Sequence, residues 1–234
     1  MGQTHDRNRP EAPVEAAQLN HRRAFIFDLD GTLLDTLADI ASSLNAALAD
    51  LDRPAATLEQ VRSWIGAGLP SLCKTAWPSA DEASIDRLIK RTAVHYERQC
   101  VQRTAPYHNI LEMLKLLTAG GNVLAVLSNK PQPFVTRILA SMGLSKFFVE
   151  MRGYVIEEEK KPSPVSALNI ARQMRVSPAA TFLIGDSVTD IQTARNAGMI
   201  AVAVTWGFQK KNALTAAKPD FLVDDPLEIP GLCL

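Results

Sequence analysis

Residues 25–36 read FIFDLDGTLLDT. The apolar run stops at Asp28, and a second aspartate, Asp30, stands two positions further on. Carboxylates that close together at the end of a buried segment repel one another and lose hydration, so something must compensate them. The stretch therefore asks what else arrives at this strand end, and for what chemistry.

Two later segments have the same shape. NVLAVL (122–127) ends at Ser128 and TFLIG (181–185) ends at Asp186. Each has strand length and runs into helical periodicity, which predicts βαβ units and a parallel sheet buried on both faces. MIAVAVT (199–205) and FLV (221–223) add further strands. The strand carboxyl ends of such a sheet share one edge, where open α/β sheets bind ligands. Asp28, Ser128 and Asp186 are thus expected to converge.

Between the first two strands the signals are helical. Leu37, Ile40, Leu44, Leu48 and Leu51 keep helical spacing, and Ile85, Leu88, Ile89 and Tyr96 continue a later helix. Thr57-x-x-Gln60 and Ser79-x-x-Glu82 match capping boxes. This is too much helix for one crossover. The predicted fold is α/β, a Rossmann-like parallel sheet core flanked by helices, with a small all-helical cap domain inserted after the first strand. The expected boundaries are a flexible tail over 1–22, a core from 23–36 and 106–234, and a cap over 37–105. Ser163 and Pro164 predict the start of a helix reaching Met174, and Gly143 and Gly198 predict helix ends. Ser187 is a candidate N-cap that brings Asp190 into the first turn beside Asp186.

Composition excludes several functions. Lys plus Arg and Asp plus Glu are both 25, which leaves no electrostatic footprint for nucleic acid or an anionic membrane. No apolar run approaches the length of a membrane span, and the N-terminus lacks a signal-peptide core. Cys73, Cys100 and Cys233 are scattered and show no CxxC spacing, as expected for reduced thiols of a cytoplasmic protein.

The convergent residues describe a site. Paired carboxylates at a strand end suit Mg²⁺, which takes oxygen ligands and leaves room for water and phosphate. Asp186 adds a carboxylate, and Asp190 can support it from behind. Lys161, in KKPSP, can neutralise an anionic ligand, while Ser128 and Asn129 offer hydroxyl, amide and backbone donors. A cation, a lysine and several donors facing a cluster of aspartates amount to a phosphate site.

DLDGTLLDT, SNKP, the lysine of KKPSP and GDSVTD resemble, in order, the four motifs of the haloacid dehalogenase superfamily of phosphohydrolases, across residues 23 to 228. SNKP, GDSVTDIQTARNAG and VTWGF look like bacterial phosphoglycolate phosphatases within it. The resemblance implies that Asp28 takes the phosphoryl group and that Asp30 protonates the leaving oxygen, then deprotonates water. It implies Mg²⁺ on Asp28, the backbone carbonyl of Asp30, and Asp186, with Ser128 and Lys161 on the phosphoryl oxygens. Gly31, Thr32 and the following turn would hinge the cap. In resembling enzymes a glycine-containing loop faces the site, here with Gly66 and Gly68, and Lys74 would pair a substrate carboxylate. Many relatives carry an arginine near that position, where this chain has Thr75 beside Lys74.

The expected partner is a small phosphorylated metabolite, 2-phosphoglycolate first, and the expected assembly is a monomer or homodimer. Alternatives are a sugar phosphate, pyrophosphate, a sugar phosphomutase reaction, or a phospho-aspartate signalling receiver.

Overall fold

A computed structural model describes residues 22–233; the expected tail lies, but for Arg22, outside them. Six strands form one parallel sheet in the order β5-β4-β1-β6-β7-β8. They are β1 (Ala24–Phe27), β4 (Val123–Pro131), β5 (Phe148–Tyr154), β6 (Thr181–Gly185), β7 (Ile200–Val204) and β8 (Phe221–Val223). A short antiparallel ribbon pairs β2 (Leu34–Asp35) with β3 (Ala105–Pro106).

The central strands are unbroken apolar runs because both of their faces are covered. Alternate residues separate by size. Phe25, Phe27, Phe182 and Ile184 point into one layer, and Ile26, Ala125, Leu183 and Ala203 into the other. Phe25 stacks on Phe182 with ring centroids 4.9 Å apart. On the small-residue face, helices Val165–Met174 and Val188–Ala197 bring Ala167, Ala171 and Ala194 against the sheet.

Strand register positions the site. Phe27 lies opposite Val126 of β4 and Ile184 of β6. Asp28, one residue beyond Phe27, donates its N–H to the Ile184 carbonyl at 2.8 Å. Ser128 and Asp186 stand two residues beyond Val126 and Ile184, so both flank it one step further on. The chain moves outward from β1 to β4 and β5, then returns to β6 on the other side. That makes β1 a switch point of the kind where open sheets bind ligands.

Between β2 and β3 run four helices, α1 (Leu37–Ala49), α2 (Leu58–Trp64), α3 (Leu69–Ala76) and α4 (Glu82–Gln99). The Thr57–Gln60 capping box is formed. The Ser79 cap is not: α4 is capped by Asp81, whose carboxylate accepts from Ser84 N–H at 2.8 Å. The helix expected from Ser163 begins at Val165, with Ser163 Oγ accepting its N–H at 3.5 Å. Gly143 and Gly198 do follow helices, at φ +67 and +65.

The two crossings into the helical insertion are tied together by Asp39. Its buried carboxylate accepts the N–H groups of Arg103 and Thr104 and the Thr104 hydroxyl at 2.8–3.1 Å. Arg103 also reaches Ser42 Oγ. Strand β5 was not among the expected strands. It sits at the sheet edge, where Glu150 and Arg152 pair with each other at 3.1 Å and interrupt the apolar pattern. Among the described residues, no helix is long and apolar enough to cross a membrane.

Candidate active site

The ends of β1, β4 and β6 bring buried charge together. Lys161, from the loop after β5, places Nζ 2.8 Å from Asp28 Oδ1 and 2.6 Å from Asp190 Oδ1. Asp190 is the N3 residue of helix Val188–Ala197, in a capping box with Ser187, whose hydroxyl donates to its other oxygen at 2.5 Å. Asp186 accepts the Phe208 N–H at 2.6 Å. Glycines leave room for these acids. Gly31, at φ +86, approaches so closely that a Cβ would strike the Asp186 carboxyl, and a Cβ on Gly185 would strike Asp190.

Carboxylate oxygens of Asp28, Asp186 and Asp190 lie within 4.8 Å of one another, and all three residues are buried. Burial pushes the Asp28 carboxyl up to about 7, against the pull of Lys161 and with help from Asp190 and Asp30. Asp186 is raised well above the carboxylate range, first by burial, then by Asp28 and Asp190. Burial disfavours the charge of Lys161, but Asp190 and Asp28 outweigh it and hold its pKa above the ordinary value. Three acids around one lysine leave an excess of negative charge with oxygen donors only. This donor set suits a hard divalent cation such as Mg²⁺.

Asp30 is held apart from that cluster. Its carboxylate accepts the Thr36 hydroxyl at 2.7 Å, and Lys130 Nζ contacts both of its oxygens, at 2.8 and 2.7 Å. Lys130 lies inside the SNKP stretch and was not among the expected site residues. Its partner is 100 residues away in the chain, and the one hint in sequence was its place in SNKP, just past the apolar run 122–127.

Ser128 is buried at the strand end, its hydroxyl accepting the Lys130 N–H at 3.2 Å. Asn129, expected among the phosphate donors, has its side-chain amide engaged elsewhere. Its amide hydrogens go to the carbonyls of Gly66 and Lys161, at 3.1 and 3.0 Å, and its Oδ1 accepts the Lys161 N–H at 2.7 Å. No amide hydrogen is left for a phosphoryl oxygen; Asn129 instead pins the lysine loop and the glycine loop to β4.

A cavity of about 80 Å³ opens above Asp28, Asp30, Ser128 and Lys130. Gly66 and Gly68 line it, as do Leu69, Leu72, Tyr96 and Phe134. Lys74 does not. It is exposed and lines a separate surface depression with Trp77 and Asp86. Leu69, Leu72 and Cys73 form the inward face of α3, and the helix turns Lys74 out of it.

The sequence profile of the haloacid dehalogenase-like hydrolases matches residues 25–204. The chain belongs to that family. Phosphoglycolate phosphatases of Pseudomonas syringae pv. tomato and Haemophilus influenzae are similar to this hydrolase, each at 34% identity. The first match covers 91% of this chain and 80% of the relative, and the second covers 85% and 92%. The crystal structure of a predicted phosphoglycolate phosphatase from Haemophilus somnus superposes with a TM-score of 0.84 at 30% identity, over 92% of this chain and 99% of that one.

Proposed function

We propose that this hydrolase is a Mg²⁺-dependent phosphatase acting on a small phosphorylated acid, 2-phosphoglycolate first, through an aspartyl phosphate on Asp28. One observation carries the reading: a buried carboxylate, Asp28, faces the pocket, paired with a lysine and belonging to a three-acid cluster suited to a hard cation. The names of the relatives support the choice of substrate. A pocket this small, with room for a handful of water-sized groups, supports a short leaving group. The cytoplasm is the proposed location, supported by two buried free cysteines, Cys73 and Cys100.

In this mechanism an Asp28 oxygen attacks phosphorus while the phosphorus–ester oxygen bond breaks. Asp30 gives a proton to the departing oxygen. It then takes a proton from the water that attacks the aspartyl phosphate, releasing inorganic phosphate and restoring Asp28. Ser128 and Lys161 orient the phosphoryl oxygens, with Lys161 offsetting their charge. Asp28, Asp186 and the Asp30 backbone carbonyl would hold the cation, with Asp190 supporting them. When bound, it would offset charge on the phosphoryl oxygens and on the crowded acids.

Phosphate release from 2-phosphoglycolate, several sugar phosphates and pyrophosphate, each with Mg²⁺ and with EDTA, tests the proposal. Metal-dependent turnover led by phosphoglycolate supports it. Turnover led by a sugar phosphate sinks the substrate assignment. A folded protein that keeps a stable phosphoaspartate without multiple turnover is a receiver, and the enzyme reading falls.

A further inference from the structure

We infer that Lys130 and Tyr96 form the receptor for a carboxylate on the substrate's leaving group, which makes them the residues that select phosphorylated short-chain acids. The inference rests on the phosphatase reading above and adds the group that chooses the substrate.

The pocket has two ends. Asp28 and Ser128 line the phosphoryl end, with Lys161 against Asp28 behind them, and beyond Asp30 the wall is mainly apolar, with Leu69, Leu72 and Phe134. Lys74, the lysine expected to meet a substrate carboxylate, faces another surface. Among the residues lining this cavity, Lys130 is the cation. It is buried, with Nζ 4.8 Å from the Tyr96 ring centre. An ammonium has three hydrogens. Two point at the oxygens of Asp30, leaving the third for another acceptor.

Tyr96 supplies the independent sign. It lines the same cavity at 7% exposure, and its hydroxyl hydrogen has no acceptor among the described residues. A buried phenol without an acceptor is costly unless a ligand completes it. A spare ammonium hydrogen and an unpartnered phenol together make a site for an anion, and a carboxylate accepts from both. Asp30 keeps the Thr36 hydroxyl when Lys130 is shared. Because Lys130 touches Asp30 directly, the carboxylate must lie within a few bonds of the ester oxygen that Asp30 serves. A two- or three-carbon acid has that reach.

The test compares kcat/KM for 2-phosphoglycolate with kcat/KM for ethyl phosphate, a neutral-tailed ester of similar size, in wild type, Lys130→Met and Tyr96→Phe. Damage to Asp30 affects both substrates and cancels in the ratio. Wild type is expected to favour phosphoglycolate strongly. The preference should fall about 100-fold in Lys130→Met and about 10-fold in Tyr96→Phe. If Lys130→Met does not fold, Tyr96→Phe, which removes one oxygen, decides alone. A ratio unchanged in the folded variants overturns the inference, and so does a wild type that turns over both esters equally. A wild type inert toward both overturns the short phosphorylated acid as substrate, the reading on which the inference rests, a distinguishable failure.

Discussion

The floor and the wall of the pocket are made of different materials. On the floor, Asp28, Lys161, Asp186 and Asp190 are buried charges joined by contacts of 2.6–2.8 Å or crowded without compensation. Across from them, α3 and α4 contribute Leu69, Leu72 and Tyr96, and the polar contact made by the glycine loop runs from Asn129 to the Gly66 carbonyl. A floor of fixed charge suits a reaction whose charge always develops in one place. A wall of side chains can change its leaving group without disturbing that chemistry, so in the proposed mechanism reactivity belongs to the floor and specificity to the wall, with Lys130 at the end of β4 facing Tyr96 of the helices.

The contrast can be broken most directly at the floor. Asp28→Asn should remove the nucleophile and lower kcat by about 10⁴-fold or more, with circular dichroism unchanged; a variant within tenfold of wild type would sink the proposed mechanism. A second test uses the excess negative charge. Asp28 is raised from 3.8 to about 7 in the folded protein, and Asp186 is raised as well. Their contribution to stability is therefore present at low pH and lost as pH climbs through about 7. Adding Mg²⁺ should raise Tm more at pH 8 than at pH 5, and Asp186→Asn should shrink that difference. Equal shifts at both pH values would argue against cation binding at these acids.

At the junction of floor and wall, effects should be smaller. Gly68 has φ +86, and a Cβ there would sit 3.0 Å from the Asn129 carbonyl. Gly68→Ala should cost about 1–2 kcal/mol of strain and lower kcat/KM roughly 5- to 30-fold, with the Mg²⁺-induced Tm shift retained. Deeper in the helices, burial pushes the Cys73 thiol up to about 11. Its alkylation at pH 8 should run at least about tenfold slower than that of free cysteine; fast labelling would show that the insertion opens readily.

The same division explains what could be read from sequence. Strand ends were legible because burial on both faces writes a strand as a continuous apolar run, and the acid that stops the run marks the sheet edge. That logic found Asp28, Ser128 and Asp186 and, through the Ser187 cap, Asp190. Strand β5 escaped it because Val149 is exposed and Glu150 and Arg152 break the run. Ser79 and Asp81 are equally plausible caps, and packing of the helix chooses between them. Lys74 was expected from the family resemblance alone, and the phase of its helix, with Leu72 and Cys73 inward, turns it to another surface. Lys130 was visible in its motif, but its role depends on Asp30, and Asp39 on Arg103 and Thr104; such long-range pairings are made by topology.

The central position of β1 also bears on how the chain is made. It is the first strand of the sheet to be synthesised, yet its neighbours are β4, starting at Val123, and β6, starting at Thr181. At ribosomal speeds of about 5–20 residues per second, β1 waits on the order of 5–20 s for its first partner and longer for its second. Throughout that interval Ala24–Phe27 is an unpaired apolar strand, a natural client for a chaperone. A nascent chain stopped before β6 carries Asp28 and Asp30 but lacks Asp186, so the three-acid cluster is assembled late and all at once.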